Sequence, residues 1–340
     1  MKFFYDLLSL TFLTVSAIIG AGFLSGREIV AFFGTDAFLP FIIFSFIISA
    51  AFFYLCYYSG AKEKSLEDLN GRLFTYPKCV GVAVYVASFI SASGAASGIS
   101  ALFSVIFPTI KIPIFALIFI IAADFVSVKG VLGVEKISFV LTPLLVVIVA
   151  ILIVFCGKTD FSTENVNAVK GGLKTVLYAS MNCFINLPAL TDGARGKGKK
   201  TLIFSAILSA FIISFLALFI AASIKGAKTS FADTPLLFAV GRSPIFAASL
   251  LFALITSLFS AYYPLYNFAN KKGKIVGVVS LTIAVFSFSL LGVKNIIDGI
   301  YPVIGVMGAV YLIKCFIYAV RCRYKKPAYE HNKDKKEKVK

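Results

Sequence analysis

The chain has 340 residues, 59% of them hydrophobic, and a mean hydropathy of +0.93. Soluble domains run nearer about 45–50% apolar, so this composition excludes a water-soluble globular protein and points to a polytopic membrane protein. A formal net charge of +17 would suit a nucleic-acid binder, but the basic residues sort by side of a membrane, and that excludes nucleic acid as a partner.

Apolar runs of about 20 residues, each long enough to cross a bilayer, predict ten spans: roughly 7–33, 37–60, 79–107, 112–128, 137–156, 172–190, 202–224, 245–269, 275–291 and 296–320. The first run is too long for a cleavable signal peptide, and no small-residue cleavage pattern follows it. It is interrupted by Gly20-Ala21-Gly22-Phe23-Leu24-Ser25-Gly26-Arg27-Glu28. Irregular backbone inside a membrane survives only against protein or a water-filled cavity, and ionisable residues there are expensive and default to function. The stretch predicts a discontinuous helix lining a substrate or ion site. Gly20 and Gly22 let the backbone open. Freed N–H groups after the break suit an anion such as a carboxylate, and freed carbonyls near Ser16 and Ile19 suit a cation. Arg27 and Glu28 are candidate gating or coupling residues; a snorkelling arginine with a local acidic partner is the plainer alternative.

Further along, 63–78 is a mixed-charge connection, with a short surface helix expected over 65–73. The third span carries Ser88, Ser91, Ser93, Gly94, Ser97 and Gly98 on one small-residue side, which serves either close packing or a substrate wall, with Ser91 the chosen candidate. Asp124, near the end of span four, is the third gating or coupling candidate. Span six contains Tyr178, Ser180, Asn182, Asn186 and Pro188, and two asparagines and a proline weaken a continuous helix. In 225–243 the apolar run 235–240 is too short to span and is expected to cap an outer vestibule. The eighth span carries Ala253, Thr256 and Ser257, hydroxyls that suit a small hard cation or simply bond back to their own helix. The charged tail, 321–340, is expected to be disordered.

The spans divide into 1–156 and 157–320, five each. An odd number per half gives the halves opposite orientation, and paired interruptions at corresponding positions of inverted halves are the pattern of a transporter site. With the N-terminus inside, 23 basic residues fall on the cytoplasmic side and 8 on the other, so both termini are expected in the cytoplasm. Cys56, Cys156, Cys183 and Cys315 sit in or beside apolar spans as structural thiols. The single histidine, His331, lies in the tail. No Walker-type loop appears, and no residue set for intramembrane catalysis, so neither an ATP-driven pump nor an enzyme is expected.

The segment from Ile19 to Glu28 resembles the first-helix signature of the YkvI-like bacterial membrane proteins, a Gly-x-Gly-Phe-x-Ser-Gly-x-Glu pattern. That family belongs to the amino acid–polyamine–organocation superfamily. The resemblance implies an all-α LeuT-type fold of two inverted five-helix repeats with helices 1 and 6 discontinuous, in the bacterial cytoplasmic membrane. It implies that Gly20, Ala21 and Gly22 form the unwound segment that holds a substrate carboxylate. Ala253, Thr256 and Ser257, with carbonyls of Ser16 and Ile19, would form a Na⁺ site. Tyr178, Ser180 and Asn182 of span six would face the substrate by position. The function so implied is secondary transport of a small solute, an amino acid or related zwitterion, coupled to Na⁺ or H⁺, with no cofactor beyond that ion. A germinant-receptor-like subunit that binds an amino acid without moving it is the alternative.

Overall fold

Backbone N–H and C=O groups in lipid have no water to bond, so apolar runs of this length close their hydrogen bonds within each segment as helices. The computed structural model describes residues 2–34, 39–107, 113–156, 159–162, 168–230, 235–240 and 244–324, and its regular elements are all α-helices. The tail beyond residue 324, expected to be disordered, lies outside the described residues.

The first predicted span is three pieces: α1 (Lys2–Ile18), α2 (Ala21–Leu24) and α3 (Arg27–Phe33). Next come α4 (Leu39–Lys62), the short α5 (Leu66–Leu73), α6 (Pro77–Ile106), α7 (Ile114–Ser127) and α8 (Val131–Cys156). The sixth span is α9 (Ala168–Ile185) followed by α10 (Leu187–Ala194). The chain continues through α11 (Lys199–Ala227), the six-residue α12 (Pro235–Val240), α13 (Pro244–Ser289) and α14 (Val293–Tyr324). Within α13 the backbone breaks at Lys274 (φ 48°, ψ −135°), so its parts, 244–273 and 275–289, are spans eight and nine. All ten expected stretches fall on helices; among the described residues, six of these helices are long and apolar enough to cross a membrane.

Local chemistry explains the small elements. Ser65 caps α5, accepting from Asp68 N–H at 3.0 Å, which satisfies one of the helix's orphan donors. α12 is tied down by Leu236 N–H donating to Ser25 O at 2.9 Å and by the Thr229 hydroxyl donating to Pro235 O at 2.9 Å. The short helix expected over 235–240 is thus present, packed on α11 and bonded to the turn between α2 and α3.

α13 packs along α6, α11 along α4 and α14 along α9, while α1 touches α8, α11 and α13. The most hydrophobic stretch of α13 is 67% buried and that of α6 56%, against 33% for α4, α8 and α14. The interior is therefore built by the α1–α3 span, α6, α9–α10 and α13. The outer helices expose apolar side chains such as Phe44, Ile47, Val147, Ile283 and Ile313. That area greatly exceeds the patches a soluble protein exposes, as in a multi-pass membrane protein whose belt is covered by lipid. Glycines let neighbouring backbones touch: a Cβ at Gly60 of α4 would lie 2.5 Å from Thr191 Cα of α10, and one at Gly308 of α14 would lie 2.3 Å from Ser180 O of α9.

Candidate functional site

The first break is made by the chain turning on itself. Gly20 N–H bonds to Ile18 O at 2.9 Å rather than four residues back, so the carbonyl of Ser16 loses its helical donor. A second interruption follows at Gly26, whose φ of 80° starts α3. This left-handed conformation favours glycine, and a Cβ there would meet Ile224 Cδ1 at 2.3 Å. The sequence predicts one opening between residues 20 and 28; the structure has two, because Ser25-Gly26 turns as well as Ile19-Gly20.

The second break, between Ile185 and Leu187, sits at Asn186 (φ −100°, ψ 11°), with Pro188 in the first turn of α10. A ladder of amides stitches it. Asn182 Nδ2 donates to Tyr178 O at 3.1 Å, and Asn186 Nδ2 donates to Asn182 O at 3.0 Å. A carbonyl accepts only from the NH₂ end, so both side-chain oxygens are directed away from these bonds. Asn186 Oδ1 is buried with no partner.

The two breaks face one small cavity of ≈ 20 Å³, room for about one water molecule. Gly20, Gly22 and Glu28 line it from the first span, Ser91, Gly94 and Ala95 from α6, Asn182 and Asn186 from the sixth span, and Ser257 from α13 with Tyr301 from α14. Gly20 and Ser257 are close neighbours: a Cβ at Gly20 would lie 2.7 Å from Ser257 Oγ. The small-residue side of the third span is thus a cavity wall at Ser91 and Gly94, and Ser88 beside it donates to Ile185 O at 3.4 Å.

Glu28 is 4% exposed. Among the described residues no hydrogen bond or ion pair engages its carboxyl, and Oε2 is buried and unsatisfied. Native structures satisfy nearly all buried polar atoms, so this group and Asn186 Oδ1 stand out as unsatisfied polar atoms in the residues that line the cavity.

The other candidates lie around the cavity rather than in it. Ser16 Oγ donates to Leu13 O and Ser138 Oγ at 2.9 and 2.7 Å. Thr256 Oγ1 bonds back to Phe252 O and Ala253 O at 3.0 and 3.2 Å. Tyr178 packs its ring against Phe32 and Phe33, with centroids 5.4 and 5.3 Å apart; the backbone carbonyl of Ser180 lies against Gly308 of α14, and its buried Oγ has no hydrogen-bond partner among the described residues. Arg27 is half-buried next to Glu28. Asp124 stands apart from the cavity, accepting from the Tyr262 hydroxyl at 2.8 Å and from Thr282 Oγ1 at 3.1 Å; there it ties the fourth, eighth and ninth spans together. Ala21 opens α2, and its side chain is outside the described residues. Asn186, read from the sequence only as a helix-weakening residue, and Tyr301, which no sequence pattern singles out, also line the cavity. The Asn-Leu-Pro step after span six's apolar run was the available signal for Asn186.

Polar and aromatic clusters stand beyond the lining. Toward the amino-terminal end, Glu135 of α8 accepts from Ser9 Oγ of α1 and pairs with Lys197 before α11, each charged side chain 11% exposed. Asp192 pairs there with Arg195 at 2.7 Å and accepts from the Tyr263 hydroxyl at 3.3 Å. At the opposite end stand the Phe32, Phe33 and Tyr178 rings, with α12 held on Ser25.

No family model and no curated protein matches this chain. Solved structures do. The crystal structure of MhsT in complex with L-phenylalanine aligns at a TM-score of 0.69 and 15% identity, covering 92% of this chain and 88% of MhsT. Two mutants of the Eremococcus coleocola manganese transporter align at TM-scores of 0.54 and 0.55 and 12% identity, over 90% and 91% of this chain and 78% of theirs. At this identity the likeness is one of fold. The chain is a LeuT-type polytopic membrane protein.

Proposed function

We propose that this chain is a secondary transporter of a small solute, an amino acid or related zwitterion, working by alternating access around the cavity between the two interrupted helices. One observation carries the reading: the breaks of spans one and six, far apart in sequence, face one buried cavity containing unsatisfied polar atoms. Half-helices that end at a midplane site are how LeuT-type transporters expose backbone groups to cargo. The structural neighbours, one holding L-phenylalanine and the other a manganese transporter, agree with that reading. The first-helix resemblance supports a place among the YkvI-like proteins of the bacterial cytoplasmic membrane, the sorting of basic residues supports both termini inside, and no catalytic role is proposed.

In this reading the two clusters beyond the cavity act as its seals. Cargo enters when the seal of α12 and the aromatic rings opens, and leaves when α1 and α10 part from Glu135 and its neighbours. The coupling ion is Na⁺ or H⁺. For Na⁺ the donor set is all oxygen, which suits a small hard cation. Ser257 Oγ lies against Gly20, the Ser16 carbonyl has lost its helical donor, and Thr256 Oγ1 keeps acceptor lone pairs after donating to its own helix. With the carbonyls of Ile19 and Ala253, these atoms would hold the ion.

The test is counterflow and gradient-driven uptake of labelled amino acids in proteoliposomes, with Na⁺ replaced by K⁺ in parallel. A Na⁺ gradient is expected to drive accumulation, and Thr256→Ala with Ser257→Ala is expected to weaken the Na⁺ dependence at least about tenfold, the loss of roughly 1.4 kcal/mol of ion binding. Uptake indifferent to Na⁺ but driven by a pH gradient assigns H⁺. Saturable binding without any flux overturns transport in favour of the receptor.

A further inference from the structure

We propose that Glu28 is the counter-charge for an ammonium group on the cargo, so that the site selects amines or amino acids over carboxylates and neutral solutes. This rests on the cavity being the cargo site, and it gives Glu28 a substrate-binding role in place of gating.

The chemistry of the lining points one way. Glu28 is the acid among the described residues that line the cavity, and no lysine, arginine or histidine is among them. Its carboxyl is buried without a hydrogen bond or ion pair among the described residues, and Oε2 is fully enclosed. A carboxylate in such a place needs a cation beside it or a proton on it. Arg27 does not fill that role: neighbours one apart on a helix do not face each other, and no ion pair joins the two.

The lining supplies further acceptors. Asn182 Nδ2 and Asn186 Nδ2 point at Tyr178 O and Asn182 O, which leaves the carboxamide oxygens of both residues for a ligand; Asn186 Oδ1 is buried and unsatisfied, and the hydroxyls of Ser91, Ser257 and Tyr301 accept as well as donate. An acid and two amide oxygens around one small volume form a cradle for a group that donates several hydrogen bonds and carries positive charge. An ammonium has three such donors. A carboxylate or neutral polyol would leave Glu28 unneutralised.

The experiment compares matched ligands on the purified full-length protein. Thermal stabilisation and isothermal titration are run with amino acids, their decarboxylated amines and their deaminated acids. Ligands that bind only the folded state raise its melting point. The expected result is that every stabilising ligand carries an ammonium and that its deaminated partner binds at least about 100-fold more weakly, as when a buried polar site is left unpaired. Glu28→Gln should weaken the best ligand at least about tenfold, Glu28→Asp less, and Asn186→Ala should also weaken it. The wild-type ligand comparison stands even if a variant does not fold.

The proposal is overturned if deaminated acids bind as well as their parents, if Glu28→Gln binds as tightly as wild type, or if no ammonium ligand stabilises the protein. Flux in proteoliposomes separates this from the transporter reading. If deaminated acids are carried, transport stands and the ammonium role of Glu28 falls. If ammonium ligands bind through Glu28 and are not carried, transport falls and the role of Glu28 stands.

Discussion

Gly308→Val is expected to cost about 3 kcal/mol or more, beyond the usual range for overpacking, because the obstacle is backbone. A Cβ at Gly308 would sit 2.3 Å from Ser180 O, 2.7 Å from Ser180 C and 3.0 Å from Phe184 Cβ. Flexible side chains yield at such distances, but a carbonyl locked in α9 does not. Gly305, one turn earlier, meets Leu177 O at 2.9 Å, so two glycines three apart seat α14 on two α9 carbonyls three apart. Small residues at such a seam let helices approach where the hydrophobic effect gives no drive between them. The check is the melting point of purified variants in one detergent, with Gly299→Ala as control, since a Cβ there meets nothing within 4 Å. A drop of several degrees for Gly308→Val with Gly299→Ala near wild type is expected. Equal, small shifts would refute the seam.

The second large effect is expected at the amino-terminal seal. Glu135 and Lys197 are each 11% exposed and joined directly, with Ser9 Oγ of α1 donating to the same carboxylate. Removing one partner of a buried pair strands the other charge, at a cost of about 3–5 kcal/mol. Lys197→Met alone and Glu135→Gln alone should therefore each lower the melting point strongly, while the double variant should recover much of the loss. The cycle separates the pair from its parts. The Ser9 bond gives a second readout. With Glu135→Gln, α1 loses part of its anchor to α8, and a cysteine at Ala17 should become more reactive toward reagents entering from the amino-terminal side. Additive single losses and unchanged reactivity would mean that the pair is decoration, not a seal.

How legible all this was depends on what each residue reports. The breaks were legible because glycine, arginine, glutamate, asparagine and proline contrast with the apolar runs they interrupt. The short surface helix over 65–73 was legible, as was the run 235–240, too short to span. Facing was not legible. Position in span six points to Tyr178 and Ser180, yet neither lines the cavity; the rotation of α9 turns Tyr178 to Phe32 and Phe33, and a helix apolar all round does not encode that rotation. Tyr301 joins the cavity from far along the chain, a meeting fixed only by tertiary packing. Glu135 lies in the first turns of α8, which starts at Val131 rather than at the expected residue 137, because hydropathy discounts charged helix ends. Its pairing with Lys197 was therefore hidden among residues that read as interfacial.

The central claim is that one cavity opens alternately to the two sides of the membrane. The direct measurement is the reactivity of Ser91→Cys, a cavity-lining position, in a cysteine-free background, toward a membrane-impermeant maleimide applied from one side at a time. Alternating access predicts labelling from either side, with bound cargo slowing both reactions. Labelling from one side only, or from neither under every ion and ligand condition, would contradict it.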